Sequence, residues 1–163
     1  MPNPDTITVF TANCRGDATN CLYPHRIEVT DEDSAVAAFS RDFVCAEYRN
    51  SYRSNDNFLV SNTLPMDCDN DHSDDPALWI TSDDIAGFFP DVTYIIHYSR
   101  HHMKPKGNLS SRPRFHVIFL IDPISDPDAY VKLKQRVEEA FPFFDTDAMD
   151  AARFLFGTEN AEV

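Results

Sequence analysis

The chemistry with the clearest spacing lies in Leu64-Pro65-Met66-Asp67-Cys68-Asp69, which ends an apolar run and opens the most acidic segment of the chain. If the run continues as a strand, side chains two apart share a face, so Asp67 and Asp69 point the same way. Two adjacent carboxylates repel, and burying either one unpaired is costly. A divalent cation relieves both problems, and hard oxygen donors of this kind suit Mg²⁺ or Mn²⁺. The plainer alternative is a strand that gives way to a polar Asp/Asn loop. Two later stretches add to the pair. Arg114-Phe115-His116 begins an almost wholly apolar run, and on a strand Arg114 and His116 share the face opposite Phe115 and Val117. A lone His in such a run is by default a core residue, but a cationic neighbour on the same face is what a triphosphate needs. Phe143-Phe144-Asp145 then sets an acid behind two aromatics, with Asp147 and Asp150 close after it. Asp145 is the favoured third carboxylate; Asp147 and Asp150 remain alternatives, as does a helix-capping role for Asp145. Three carboxylates from separate elements plus phosphate-binding donors describe a two-metal phosphoryl-transfer site. One ion lowers the pKa of the attacking hydroxyl and the other steadies the leaving pyrophosphate, the two being about 4 Å apart.

The charge distribution fits such a site better than the total does. A net charge of −13 argues at first against nucleic acid, because phosphate contacts dominate that binding. Yet residues 67–84 hold seven Asp and no Lys or Arg, while residues 99–116 hold five Lys or Arg, three His and no acid. An acidic and a basic segment facing each other would take cations and phosphates together; solvated faces of no function are the alternative. With 163 residues, 42% of them hydrophobic, and 13 Phe, the chain fits one domain with a sizeable core. Its 4 Gly argue against a Gly-rich nucleotide fold. No apolar run approaches the roughly 18 residues of a membrane span, and the N-terminus lacks a signal-peptide pattern, so a cytoplasmic location and no membrane partner are expected. Cys14, Cys21 and His25 match no standard zinc spacing, so zinc is not expected, and the four cysteines read as reduced thiols.

The elements that would position these residues follow from periodicity. Residues 6–10 and 26–29 alternate as strands, and Thr30-Asp31-Glu32-Asp33, a cap with an acid three residues on, opens an amphipathic helix expected to reach about residue 46. Residues 48–57 read as a polar loop in which Arg49 and Arg53 are candidates for contact with phosphate. A strand over 58–66 delivers Asp67 and Asp69. Ser82 is placed to cap a short helix over 83–89, and 92–98 and 115–121 have strand composition. Ser125-Asp126-Pro127 starts a helix whose buried face is Tyr130, Leu133, Val137 and Phe141. Residues 147–153 read as a last helix, stopped by Gly157.

Met66-Asp67-Cys68-Asp69, Arg114-Phe115-His116 and Phe144-Asp145, in that order, resemble the three motifs of the archaeo-eukaryotic primase superfamily, the primase–polymerases of mobile elements in particular. Arg112-Pro113-Arg114-Phe115-His116-Val117 and Arg153-Phe154-Leu155-Phe156-Gly157-Thr158-Glu159-Asn160 extend the likeness, which spans roughly residues 58–160. The resemblance implies an α+β fold: an RRM-like antiparallel sheet with packed helices beside a small N-terminal αβ unit (residues 1–57, against a motif-bearing part 58–163), with the active site in the cleft between them. It implies DNA primase or polymerase activity from nucleoside triphosphates on a single-stranded DNA template. Asp67, Asp69 and Asp145 would hold two Mg²⁺ or Mn²⁺ ions. His116, Arg114, Arg153, Ser111 and Arg112 would bind the nucleotide. The family's second motif usually begins with Ser where Arg114 stands, and Ser99 or Ser111 is the candidate substitute. Members usually carry a helicase or helical accessory domain as well, which would lie outside this chain. A metal-dependent nuclease and a non-catalytic single-stranded nucleic-acid-binding module are the competing readings.

Overall fold

The computed structural model describes residues 4–146 and 149–163. Eight strands and three helices among these residues form an α+β fold built on two antiparallel sheets. The first sheet has the order β2-β1-β3-β8, from β1 (Ile7–Thr11), β2 (His25–Val29), β3 (Phe43–Val44) and β8 (Phe154–Leu155). The second has the order β4-β5-β7-β6, from β4 (Glu47–Tyr48), β5 (Phe58–Cys68), β6 (Tyr94–Tyr98) and β7 (Phe115–Ile124). Each sheet therefore takes a two-residue strand from the other side of residue 57, and the sheets interlock.

The strands β5 and β7 are covered on both faces, which is why 115–119 is apolar at every position but one. On one face Leu64, Met66, Phe115, Val117 and Phe119 pack against Tyr130 of α3 (Pro127–Ala140), Ile85 of α2 (Ser82–Phe88) and Phe144. On the other, Ile118 meets Ile7, Val9, Phe43 and Leu155 of the first sheet and Phe39 of α1 (Glu32–Phe39).

Local capping sets the helix starts. Asp31 caps α1 in a reciprocal box with Ser34, and Asp126 caps α3 with Pro127 at its first position. The cap of α2 is Thr81, answered by Asp84, one residue before the Ser82 expected from the sequence.

The larger departure is the end of α1. It stops at Phe39 rather than near residue 46, and Phe43–Val44 become a strand. The cause is Asp42, fully buried, whose carboxylate accepts hydrogen bonds from the backbone N–H groups of Gly16 (2.8 Å), Asp17 (2.9 Å) and Gly157 (2.9 Å). Its own backbone is tied to Ala12 and Cys14. Bonds of that kind outweigh a helical spacing of Phe39 and Phe43, because unmade backbone bonds in the interior are costly. The expected last helix is also absent where the chain is described. Asp147 and Ala148 lie outside the described residues, and residues 149–153 form turns before β8 pairs Leu155 with Phe43. Gly157 is a point of close approach rather than a helix stop, since a Cβ there would collide with the Arg41 backbone. No helix among the described residues is long and apolar enough to cross a membrane.

Asp42→Ala should lower stability by about 3 kcal/mol or more, because three backbone donors lose their acceptor at about 1–3 kcal/mol for each that is buried. Urea unfolding midpoints would show this, with Asp42→Asn falling between the wild type and the alanine variant.

Candidate functional site

Strand register brings together what the sequence spaced apart. Asp67 of β5 pairs with His116 of β7, and His116 pairs with His97 of β6. The three side chains form one row across adjacent strands, on the face turned toward the first sheet, where His97 stacks on Phe39 and meets the edge of Phe43. Beside this row opens a cleft of about 170 Å³, lined by Asp67, Asp69, Ser99, Arg100, His101, Lys106, His116, Arg153, Leu155 and Phe156.

Asp67 is 7% exposed. Its Oδ2 accepts a hydrogen bond from Arg153 Nη2 at 2.7 Å, while Oδ1 lies 3.9 Å from His116 Nε2 and has no hydrogen-bond partner. Burial pushes the carboxyl up, but His116 and Arg153 outweigh it and hold its pKa below the usual value. Asp69 follows at the strand end, with Oδ2 3.5 Å from Lys106 Nζ. The next residue, Asn70, takes a left-handed conformation (φ 56°) and is fully buried. Its side-chain bonds to Ile80 and Pro113 turn the chain away from the site.

Asp145 is fixed from behind. Phe144 is buried against Phe89, Phe119 and Phe143, and the Asp145 N–H donates to the Asp67 carbonyl at 2.9 Å. Burial, with Asp69, Asp67 and Asp71 near it, pushes the Asp145 carboxyl up to about 8. Three carboxylates thus converge, although Asp145 does not itself line the cleft. Asp150 is exposed and borders a different cavity with Asp128, and Asp147 is outside the described residues.

This donor set fits divalent cations in its chemistry: hard oxygens, mutual repulsion that raises one member, and an unpartnered buried Asp67 Oδ1. Among the described residues no three His, Cys, Asp or Glu side chains already surround a common point, and Arg153 and Lys106 are the present counter-charges. The cysteine–histidine group from the sequence does not gather, with Cys14 turned to Asp42 and His25 to Asn13.

The basic residues divide. His116 (8% exposed) and Arg153 reach the cleft, and burial lowers the His116 pKa against the pull of Asp67. Arg112, expected to bind nucleotide, is fully buried, and its guanidinium holds the acidic loop through Asn70, Ser73 and Asp74. Arg114 is also buried, with Nη1 2.7 Å from Asp71 Oδ1. Neither arginine lines the cleft, nor does Ser111, whereas Ser99 does. Arg53 ties the chain before Arg153 by donating to the Ala152 carbonyl.

The sequence reading held Arg100 and Lys106 only as members of the basic segment, and it missed His97 and Lys134. Arg100 lies over the Phe156 ring at 4.0 Å. Lys134 of α3 is fully buried, its Nζ 3.4 Å from the Asp150 carbonyl and 5.4 Å from the Tyr130 ring. Burial lowers its pKa to about 8, against the pull of Cys45, Asp67 and Asp150. Its helical spacing from Tyr130 was the one available signal, and lysine there reads as solvated.

No family model matches the chain, and no curated protein matches it. Among solved structures it is similar to the AEP domain of the primase-polymerase (PrimPol) of cyanophage S-2L. The identity is 17% over 95% of this chain and 74% of that one, with a TM-score of 0.49.

The depressed Lys134 pKa has a consequence for stability. The unfolded chain keeps this proton up to about 10.5 and the fold only to about 8, so between those values the unfolded state binds more protons. The contribution of Lys134 therefore shifts toward the folded state as pH rises through that window, by about 3 kcal/mol in all. Lys134→Met should remove this rise, which the difference between the two proteins' denaturation free energies at pH 7.5 and pH 10.5, on the order of the titration window, would reveal.

Proposed function

We propose that the chain carries out template-directed nucleotidyl transfer, as a DNA primase–polymerase of the archaeo-eukaryotic primase type, extending or initiating strands from nucleoside triphosphates on single-stranded DNA. The observation that carries this reading is the cleft lined by Asp67, Asp69, His116 and Arg153, with the Asp145 carboxyl close to the two aspartates. The order of the three motifs in the sequence supports it as well. On this reading the second sheet is the RRM-like unit, and residues 1–57 contribute the smaller αβ unit across the cleft. A helicase or accessory domain would be a partner outside the chain.

Mg²⁺ or Mn²⁺, held by Asp67, Asp69 and Asp145, would supply activation of the attacking hydroxyl and charge neutralisation at the pyrophosphate. The chain's own residues do the rest. His116, which lines the cleft, offers a ring N–H to a phosphate oxygen. Arg153 supplies a fixed positive charge, and its hold on Asp67 keeps that carboxylate ionised and aimed. Arg100, backed by Phe156, and Lys106 extend the positive rim toward a polyanionic substrate. The interlocked sheets keep these groups in place, and catalysis of phosphoryl transfer is chiefly positioning and electrostatic stabilisation.

The test is incubation with single-stranded template, with and without primer, with each nucleotide sugar and with Mg²⁺ or Mn²⁺. Incorporation is expected, falling at least about a hundredfold in Asp67→Ala and in Asp69→Ala. His116→Ala should instead act mainly on the nucleotide KM, by about tenfold. Wild-type incorporation in both aspartate variants would overturn the proposal. Shortening of labelled DNA without nucleotide would point to a nuclease, and binding of DNA with no reaction to a non-catalytic module.

A further inference from the structure

Three consecutive backbone carbonyls directly before Arg153 are each taken by a side chain from a different part of the fold. Lys134 Nζ of α3 is 3.4 Å from the Asp150 carbonyl, the Tyr48 hydroxyl of β4 donates to the Ala151 carbonyl, and Arg53 Nη1 donates to the Ala152 carbonyl at 3.0 Å. Residues 150–152 belong to no strand, and Ala151 and Ala152 are buried, so these carbonyls must find donors outside a sheet ladder.

Arg53 does more than satisfy one of them. Its guanidinium also lies 4.7 Å from the centre of the Phe154 ring, so a single side chain holds the residue before Arg153 and the residue after it. Arg53 is anchored in turn, its N–H donating to the Cys21 carbonyl at 2.7 Å and its Nη2 to the Asn20 carbonyl at 3.3 Å. It does not line the cleft.

The Arg153 side chain has little to aim it by itself. Among the described residues it makes one hydrogen bond, from Nη2 to Asp67 Oδ2, and its buried Nε has no partner. It lies 5.9 Å from the Phe154 ring, the same ring that Arg53 meets. On the far side the backbone passes into β8, which is two residues long and forms the edge of its sheet. A long side chain with one bond takes its direction from its backbone, and that backbone is set by the donors to residues 150–152.

We infer that Arg53 and Tyr48 are positioning residues for Arg153, holding the chain around it so that its guanidinium stays on Asp67 at the cleft. The use of Arg153 on a phosphate rests on the proposed nucleotidyl transfer; its placement does not.

Nitrogen-15 relaxation of the arginine Nε–Hε groups near neutral pH, without nucleotide or metal, reads the mobility of Arg153, whose signal is identified by its loss in Arg153→Met. The wild-type signal is expected to be rigid and to become mobile in Arg53→Met and in Tyr48→Phe, which removes one hydroxyl. Arg53→Lys keeps a donor for the Ala152 carbonyl and should restore rigidity. In incorporation assays Arg53→Met should lower kcat about tenfold and leave the template KM unchanged. Added to Arg153→Met, it should cost nothing further, because the side chain it acts through is gone. A rigid Arg153 in Arg53→Met would overturn the inference, and so would a rigid Arg153 in Tyr48→Phe should Arg53→Met fail to fold. An Arg53 effect that persists in full beside Arg153→Met, or that falls on the template KM, would overturn it too. A wild type that incorporates no nucleotide, with Arg153 mobile in the variants, would remove the polymerase reading and leave the placement standing.

Discussion

A carboxylate and two imidazoles occupy one buried row across β5, β7 and β6, and the molecule's charge arrangement follows from keeping that row tolerable. An ionised group at the Asp67 position needs an opposite charge within hydrogen-bond reach, and Arg153 supplies it. Arg153 directly precedes β8, whose place beside β3 depends on the Asp42 carboxylate gripping Gly157. A loop clamp far along the chain thus governs whether the central carboxylate stays ionised. The dependence also runs outward, since the Asp67 carbonyl receives the Asp145 N–H.

The acidic and basic segments meet, though not as two facing surfaces. Part of the basic segment turns inward: Arg112 and Arg114, both fully buried, hold the acidic loop through Asn70, Ser73, Asp74 and Asp71. In both ion pairs the guanidinium is buried while the carboxylate, Asp74 or Asp71, is exposed, so desolvation of the arginine offsets much of the attraction and the bonds serve mainly to fix geometry. Here they fix the path of the chain just beyond Asp69. Of the remaining basic side chains, Arg100 and Lys106 border the cleft, joined by Arg153 from the far end of the chain. The large negative total charge leaves this local positive rim intact.

Much of the frame was legible because period and capping act locally. The strands at β1, β2, β5 and β7, the start of α3 at Asp126-Pro127, and the shared face of Asp67 and its neighbours all follow from residue order. What escaped depends on contacts distant in sequence. The end of α1 is decided by Asp42 bonding to Gly16 and Gly157, which no window around residue 42 contains. The inward turn of Arg112 required knowing that residues 70–74 fold back over it. His97 sits in an ordinary-looking strand, and only the register against β7 places it behind His116. Alternation told which face each residue takes, while pairing between strands told which residues meet.

The exchange of short strands between the sheets bears on motion. The chain crosses from β3 in the first sheet to β4 in the second within a few residues, and returns through β8. Swinging the sheets apart like a jaw would strip β4 from β5 and β8 from β3, so such opening is coupled to partial unfolding. The mouth of the cleft therefore keeps a nearly constant width, and adjustment falls to the long rim side chains Arg100 and Lys106, which can reorient without disturbing the frame.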